Sequence, residues 1–145
     1  MRCGDLRLVA CDTTIPGSDG GRVDVEWLAA TLDEDRTTPT LVALHHAPVA
    51  IGVPAIDASL PAAEERAALG ELLARSPQVR RVVAGHVHRT VVTSLGGCPV
   101  LLLGSTHVAL RLDFAATDFD MRTEPPLIAV HRMVDGELVS HLQPV

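Results

Sequence analysis

The sequence predicts an α/β fold in a single domain over residues 1–145: a parallel βαβαβ core followed by hairpins. Three observations carry that expectation. Short apolar runs at 6–11, 40–44 and around 82–84 read as buried strands. Two stretches between them place apolar residues at helical spacing. Beyond the third run, Gly96-Gly97 and Asp135-Gly136 each separate two apolar segments, as hairpin turns do.

Taken in order, "LRLVAC" is a strand bounded by Asp12 and the turn-rich "TTIPGSDGG". Asp24 suits a helix N-cap, and Val25, Leu28, Ala29 and Leu32 then repeat at i, i+3, i+4 and i+7, forming one apolar stripe that ends at "DEDR". Thr40 to Leu44 is the second strand. From His45 to Leu60 a long loop is expected, because Pro48, Gly52 and Pro54 oppose regular structure. Pro61 opens a helix over about 61–75, with Leu69, Leu72 and Leu73 as its buried side. "VRRVVAGH" is the third strand, covered on both faces where Val82, Val83 and Ala84 run without alternation. "TVVTSL" with "CPVLLL", and "LIAVHRMV" with "ELVSHLQPV", complete the hairpins.

Composition excludes several function classes. With 47% hydrophobic residues the chain can build an ordinary core, but it has no Tyr, two Phe and one Trp, so few rings can stack on a base. A net charge of −6 with mixed signs offers no basic stripe for a phosphate backbone, so no nucleic-acid partner is expected. No run reaches the roughly 18–20 apolar residues that span a bilayer, and Asp5 and Arg7 break any signal-like segment, so no membrane association is expected. Cys3, Cys11 and Cys98 are odd in number and lack C-x-x-C spacing, which suits free thiols in a reducing, cytoplasmic compartment.

Four of the seven histidines fall in "LHHAP" (44–48) and "GHVH" (85–88), where strands end. Right-handed strand-helix-strand crossovers put the C-terminal ends of the first three strands on one edge, where open α/β sheets bind ligands. A metal site is therefore expected there. In extended backbone His86 and His88 would share a face, and Gly85 would leave room for an ion, whereas only one of the adjacent His45 and His46 could point inward. The other would be a supporting or substrate-facing group. His107, His131 and His141 lack partner motifs and read as structural or exposed. Asp12, before Thr-Thr and Pro-Gly, reads as a turn-former.

These residues resemble the calcineurin-like metallophosphoesterases, and more narrowly the bacterial class III cyclic-nucleotide phosphodiesterases. The likeness rests on "LVACDTTIPG", "LVALHHAPV", "VVAGHVHRTVV" and "GGCPVLLLGST", and extends to the closing strands. It implies half of a metallophosphoesterase αββα sandwich and a small-molecule phosphoester as substrate. It also implies two divalent ions (Mn, Fe or Zn) in the complete enzyme, and one or none in this chain. By the same resemblance His45 and His86 hold one metal, His88 holds the other, and His46 is a second-sphere or substrate-facing residue.

The family's D-x-H, G-D-x-x-D and G-N-H-[DE] segments do not occur here. The resemblance thus makes the chain the C-terminal half of such an enzyme, without the carboxylate that bridges the two ions and without the family's proton-donating histidine, so no catalytic residue is assigned. Two dications held about 3.5–4 Å apart need an anionic bridge, and the chain alone is expected to be inactive. A half-sandwich would expose apolar sheet surface, which implies a homodimer or a missing N-terminal half. The competing expectation is a non-catalytic remnant serving as an interaction or dimerisation module. A mononuclear His-based hydrolase is a third.

Overall fold

The computed structural model describes residues 1–145. Its main sheet has six strands: β1 (Arg2–Cys3), β2 (Leu6–Ala10), β3 (Thr40–Ala43), β4 (Val79–Ala84), β5 (Val91–Leu95) and β6 (Cys98–Leu102), in the spatial order β1-β2-β3-β4-β6-β5. The central β2, β3, β4 and β6 are parallel. β5 folds back antiparallel on β6 through Gly96-Gly97, and so occupies the edge. The expected βαβαβ core and both hairpins are present, and the first hairpin adds its second strand to the parallel array.

Helix α1 (Val25–Asp33) starts where Asp24 Oδ1 accepts the Trp27 N–H at 2.9 Å, so the anticipated cap is made. The 45–60 segment is less irregular than its prolines suggested. Pro54 opens a one-turn helix, α2 (Pro54–Asp57), since proline's fixed φ and missing N–H suit a first turn. The next helix, α3, spans Ala63–Ala74. β7 (Ala109–Leu110) and β8 (Met121–Arg122) form a short ribbon that the sequence did not suggest.

Strand alternation divides the core in two. Val42, Val82, Ala84, Val100 and Leu102 face Leu28, Leu32, Leu69, Leu72 and Leu73 of α1 and α3, in a cluster of 20 buried residues. Each such leucine contributes ~1.5–3 kcal/mol on burial. Leu41, Val83 and Leu101 point the other way, where only Leu138 completes a cluster of four. Leu138 belongs to the closing hairpin, β9 (Leu127–Val134) and β10 (Glu137–Pro144), a separate two-stranded sheet lying over that face. The hairpin covers part of the apolar face expected to lie bare, while Val92 of β5, beside Leu101, stays exposed on it. Of the hairpin's exposed apolar side chains, Ile128, Val130, Val134 and Val139 are on its outer side, and Leu142 is on the side facing the sheet.

Candidate metal centre

Parallel β2, β3 and β4 end on one rim, and the chain leaves them at Asp12, His45-His46 and Gly85–His88. Three imidazoles meet there: one nitrogen from each of His45, His46 and His86 lies within 4.8 Å of the others. His86 Nδ1 is 3.3 Å from His45 Nε2, although the residues are 41 positions apart. Tetrahedral Zn–N bonds of about 2.0–2.1 Å would set two ligand nitrogens about 3.3–3.4 Å apart, so this pair already has the spacing a shared ion needs.

Supporting hydrogen bonds orient two of the rings. Ser59 Oγ donates to the Ile56 carbonyl at 2.8 Å, which leaves it to accept from His86 Nε2–H, also at 2.8 Å. That arrangement assigns the proton to Nε2 and a free lone pair to Nδ1, the atom facing His45. His46, 5% exposed, has Nδ1 at 2.8 Å from Thr13 Oγ1, and the same hydroxyl accepts the His46 backbone N–H at 3.2 Å. Burial, then the neighbouring imidazoles, push the pKa of both His46 and His86 below the ordinary histidine value. Neutral imidazole is the form that binds metal. The donor set therefore fits a borderline divalent cation such as Zn²⁺. No carboxylate belongs to the triad.

The backbone departs from the extended geometry expected of both motifs. β3 ends at Ala43, so His45 and His46 lie in a bend; instead of pointing apart, their rings pack edge to face with centroids 5.0 Å apart. In "GHVH", His86 and His88 have φ of 63° and 51°, and the Val87 N–H donates to the Gly85 carbonyl at 2.7 Å. The two side chains diverge as a result. His88 stays outside the triad with Nδ1 2.9 Å from the Val108 carbonyl, yet it lines the same cleft as His45, His86, Gly104 and Ser105.

Gly85 proves sterically undemanding, because a Cβ there would meet His45 at an ordinary 3.7 Å. The glycine the site requires is Gly21, where a Cβ would fall 2.2 Å from His46 Cγ. Gly21, Thr13 and Ser59 escaped the sequence reading; their stretches carry only turn signals. Asp12 Oδ1 accepts from Thr14 N and Oγ1, the turn-forming role expected of it. His131 is partly buried, His107 and His141 are exposed, and all three lie outside the triad.

No protein-family model matches the chain. Among curated proteins it is 32% identical over 144 residues to a probable glycerophosphodiester phosphodiesterase of Arcobacter nitrofigilis, covering 94% of this chain and 51% of the relative. It is 33% identical over 115 residues to a cAMP/cGMP dual-specificity phosphodiesterase of Mycobacterium tuberculosis, covering 77% and 35%. Identity to a 3',5'-cyclic adenosine monophosphate phosphodiesterase of Pseudomonas aeruginosa is 31% over 121 residues, covering 81% and 43%. The chain thus spans about half, or less, of the length of these relatives. A solved Vps29 mutant from Entamoeba histolytica aligns with 97% of this chain and 98% of that one at 12% identity; its TM-score of 0.28 is too low to bear on the fold.

Proposed function

We propose, from the premise that this chain belongs to the calcineurin-like metallophosphoesterases, that it is the C-terminal portion of a phosphodiesterase catalytic domain. It would supply the imidazole share of a divalent-metal centre that hydrolyses small-molecule phosphodiesters, of the cyclic-nucleotide or glycerophosphodiester kind. The observation that carries this reading is the convergence of His45, His46 and His86 on the rim formed by parallel strand ends, with burial lowering the pKa of His46 and His86. His45 and His86 are the nitrogen pair best placed for one ion. His88, across the same cleft, is free to serve a second ion or the substrate.

When bound, a divalent ion supplies Lewis acidity and an activated water. The chain's own residues prepare for it: Ser59 sets the His86 tautomer, Thr13 and Gly21 fix the His46 ring, and burial disfavours protonation of both rings. The triad itself holds no carboxylate to bridge two ions, and a segment of the relatives that this chain does not span, or a second copy, would supply one. That need is the physical reason for expecting a missing N-terminal half or a homodimer.

The test is titration of Zn²⁺ or Mn²⁺ into the purified chain, with hydrolysis of a bis-aryl phosphodiester as the second readout. One ion should bind, and His86→Ala should weaken it by at least ~10-fold, while the isolated chain stays inactive. Failure to bind any divalent ion would favour the second reading, a non-catalytic interaction module, which the lack of a carboxylate in the triad supports.

A further inference from the structure

A second polar site lies under the closing hairpin. Arg81, in β4, projects from the hairpin-covered face, away from the helices. Its Nη1 donates to Ser140 Oγ at 2.5 Å and its Nη2 to the Leu138 carbonyl at 3.1 Å, while Nε is buried without a partner. Ser140 Oγ also meets His131 Nδ1 at 2.7 Å. These neighbours satisfy hydrogen bonds but cancel no charge. Six ion pairs form in the chain, and none involves Arg81. In a protein with 18 acidic and 12 basic residues, a partly buried guanidinium without a carboxylate is an uncompensated cost.

Beside this cation is a cavity of about 170 Å³, open to solvent past Val92 and Leu142, whose other walls are mainly apolar: Val92, Pro99, Leu101 and Leu142, with the Ser140 hydroxyl at the polar end. The combination selects a ligand class. Phosphate would bring its charge with three or four oxygens, most of them left against hydrocarbon. An aromatic acid would find no ring to stack on. A carboxylate on a short aliphatic chain matches both ends: its oxygens accept charge-assisted bonds from the guanidinium, and its methylenes displace water from the apolar walls. We infer that the cavity between β4, β6 and the hairpin binds a small aliphatic monocarboxylate, independently of the histidine rim.

Calorimetric titration of the purified chain with sodium hexanoate tests this, with acetate and inorganic phosphate as comparators. Hexanoate should saturate one site with a Kd of about 1 mM or below, with acetate at least ~10-fold weaker for want of buried methylenes. Phosphate should not saturate, and EDTA should leave the hexanoate affinity unchanged. Arg81→Met should abolish binding. Leu142→Trp, which fills the cavity from the hairpin side and keeps the guanidinium, should weaken it at least ~10-fold, with circular dichroism confirming that both variants fold. Absence of saturable hexanoate binding, acetate or phosphate binding as tightly as hexanoate, or undiminished affinity in folded Arg81→Met would overturn the assignment.

Discussion

The two faces of the central sheet are built from the same strands and covered very differently. On one, α1 and α3 close a cluster of 20 buried residues. On the other, one two-stranded hairpin contributes Leu138 to a cluster of four, leaves a cavity beside Arg81, and turns Ile128, Val130 and Val134 outward. A helix brings a continuous apolar stripe from a unit that satisfies its own backbone. An isolated two-stranded ribbon has two unpaired edges and is marginal by itself. The contrast places the rigidity of the molecule on the helix side, and leaves the hairpin side as the face to which a further chain would add most.

The strongest way to break that contrast is at the β5–β6 turn, which packs against α3. Gly96 has φ of 57°, and a Cβ there would lie 1.9 Å from the Gly70 carbonyl oxygen. Gly96→Ala should therefore cost about 3–5 kcal/mol by urea denaturation, combining left-handed backbone with a clash that only a shift of α3 can relieve. Next in size is Leu32→Ala, fully buried between α1 and the sheet, at about 2–5 kcal/mol. Leu138→Ala on the opposite face should cost ~1–2 kcal/mol, because a thinly packed hairpin can settle into the space. Equal losses at the two leucines would erase the distinction between the faces.

Hydrogen exchange sharpens the comparison without mutation: amides of β9 and β10 should exchange through local opening, and those of β3 and β4 only on global unfolding. The smallest effect is a pH dependence assigned to the hairpin side. Burial, then Arg81, holds His131 below its ordinary pKa, so the unfolded chain takes up a proton more readily than the folded one. Its contribution is fully present above about pH 6.5 and is lost as pH falls towards the depressed folded value. Subtracting the profile of His131→Asn from that of the parent should leave a slope of that sign. Asp35, held well below the usual carboxylate range mainly by its bonds to Thr38 and Thr37, acts in the same direction but in the more acidic window.

Much of this architecture was legible beforehand, for identifiable reasons. Uninterrupted Val82-Val83-Ala84 marks a strand covered twice, and the spacing of Leu28 and Leu32 after Asp24 marks a capped helix. Direction of chain travel then sufficed to bring residues 45 and 86 together. The orientation of individual rings was not legible, because it depends on backbone just past the strand ends, where alternation no longer applies. Nor could the sequence reveal Gly21, Thr13 and Ser59, which serve the histidines from loops whose closure is decided by tertiary contacts. The sequence reading also missed that the hairpin would fold over the sheet and enclose Arg81.

His86 and His88 hold left-handed backbone angles that a side chain with a Cβ adopts at a cost of about 1–3 kcal/mol each. Replacing either with glycine would relieve that strain and remove a histidine from the cleft in the same stroke. Any campaign that selects this protein for heat resistance alone would thus be drawn towards erasing the loop's chemistry, and its most robust descendants would be the ones least able to capture an ion.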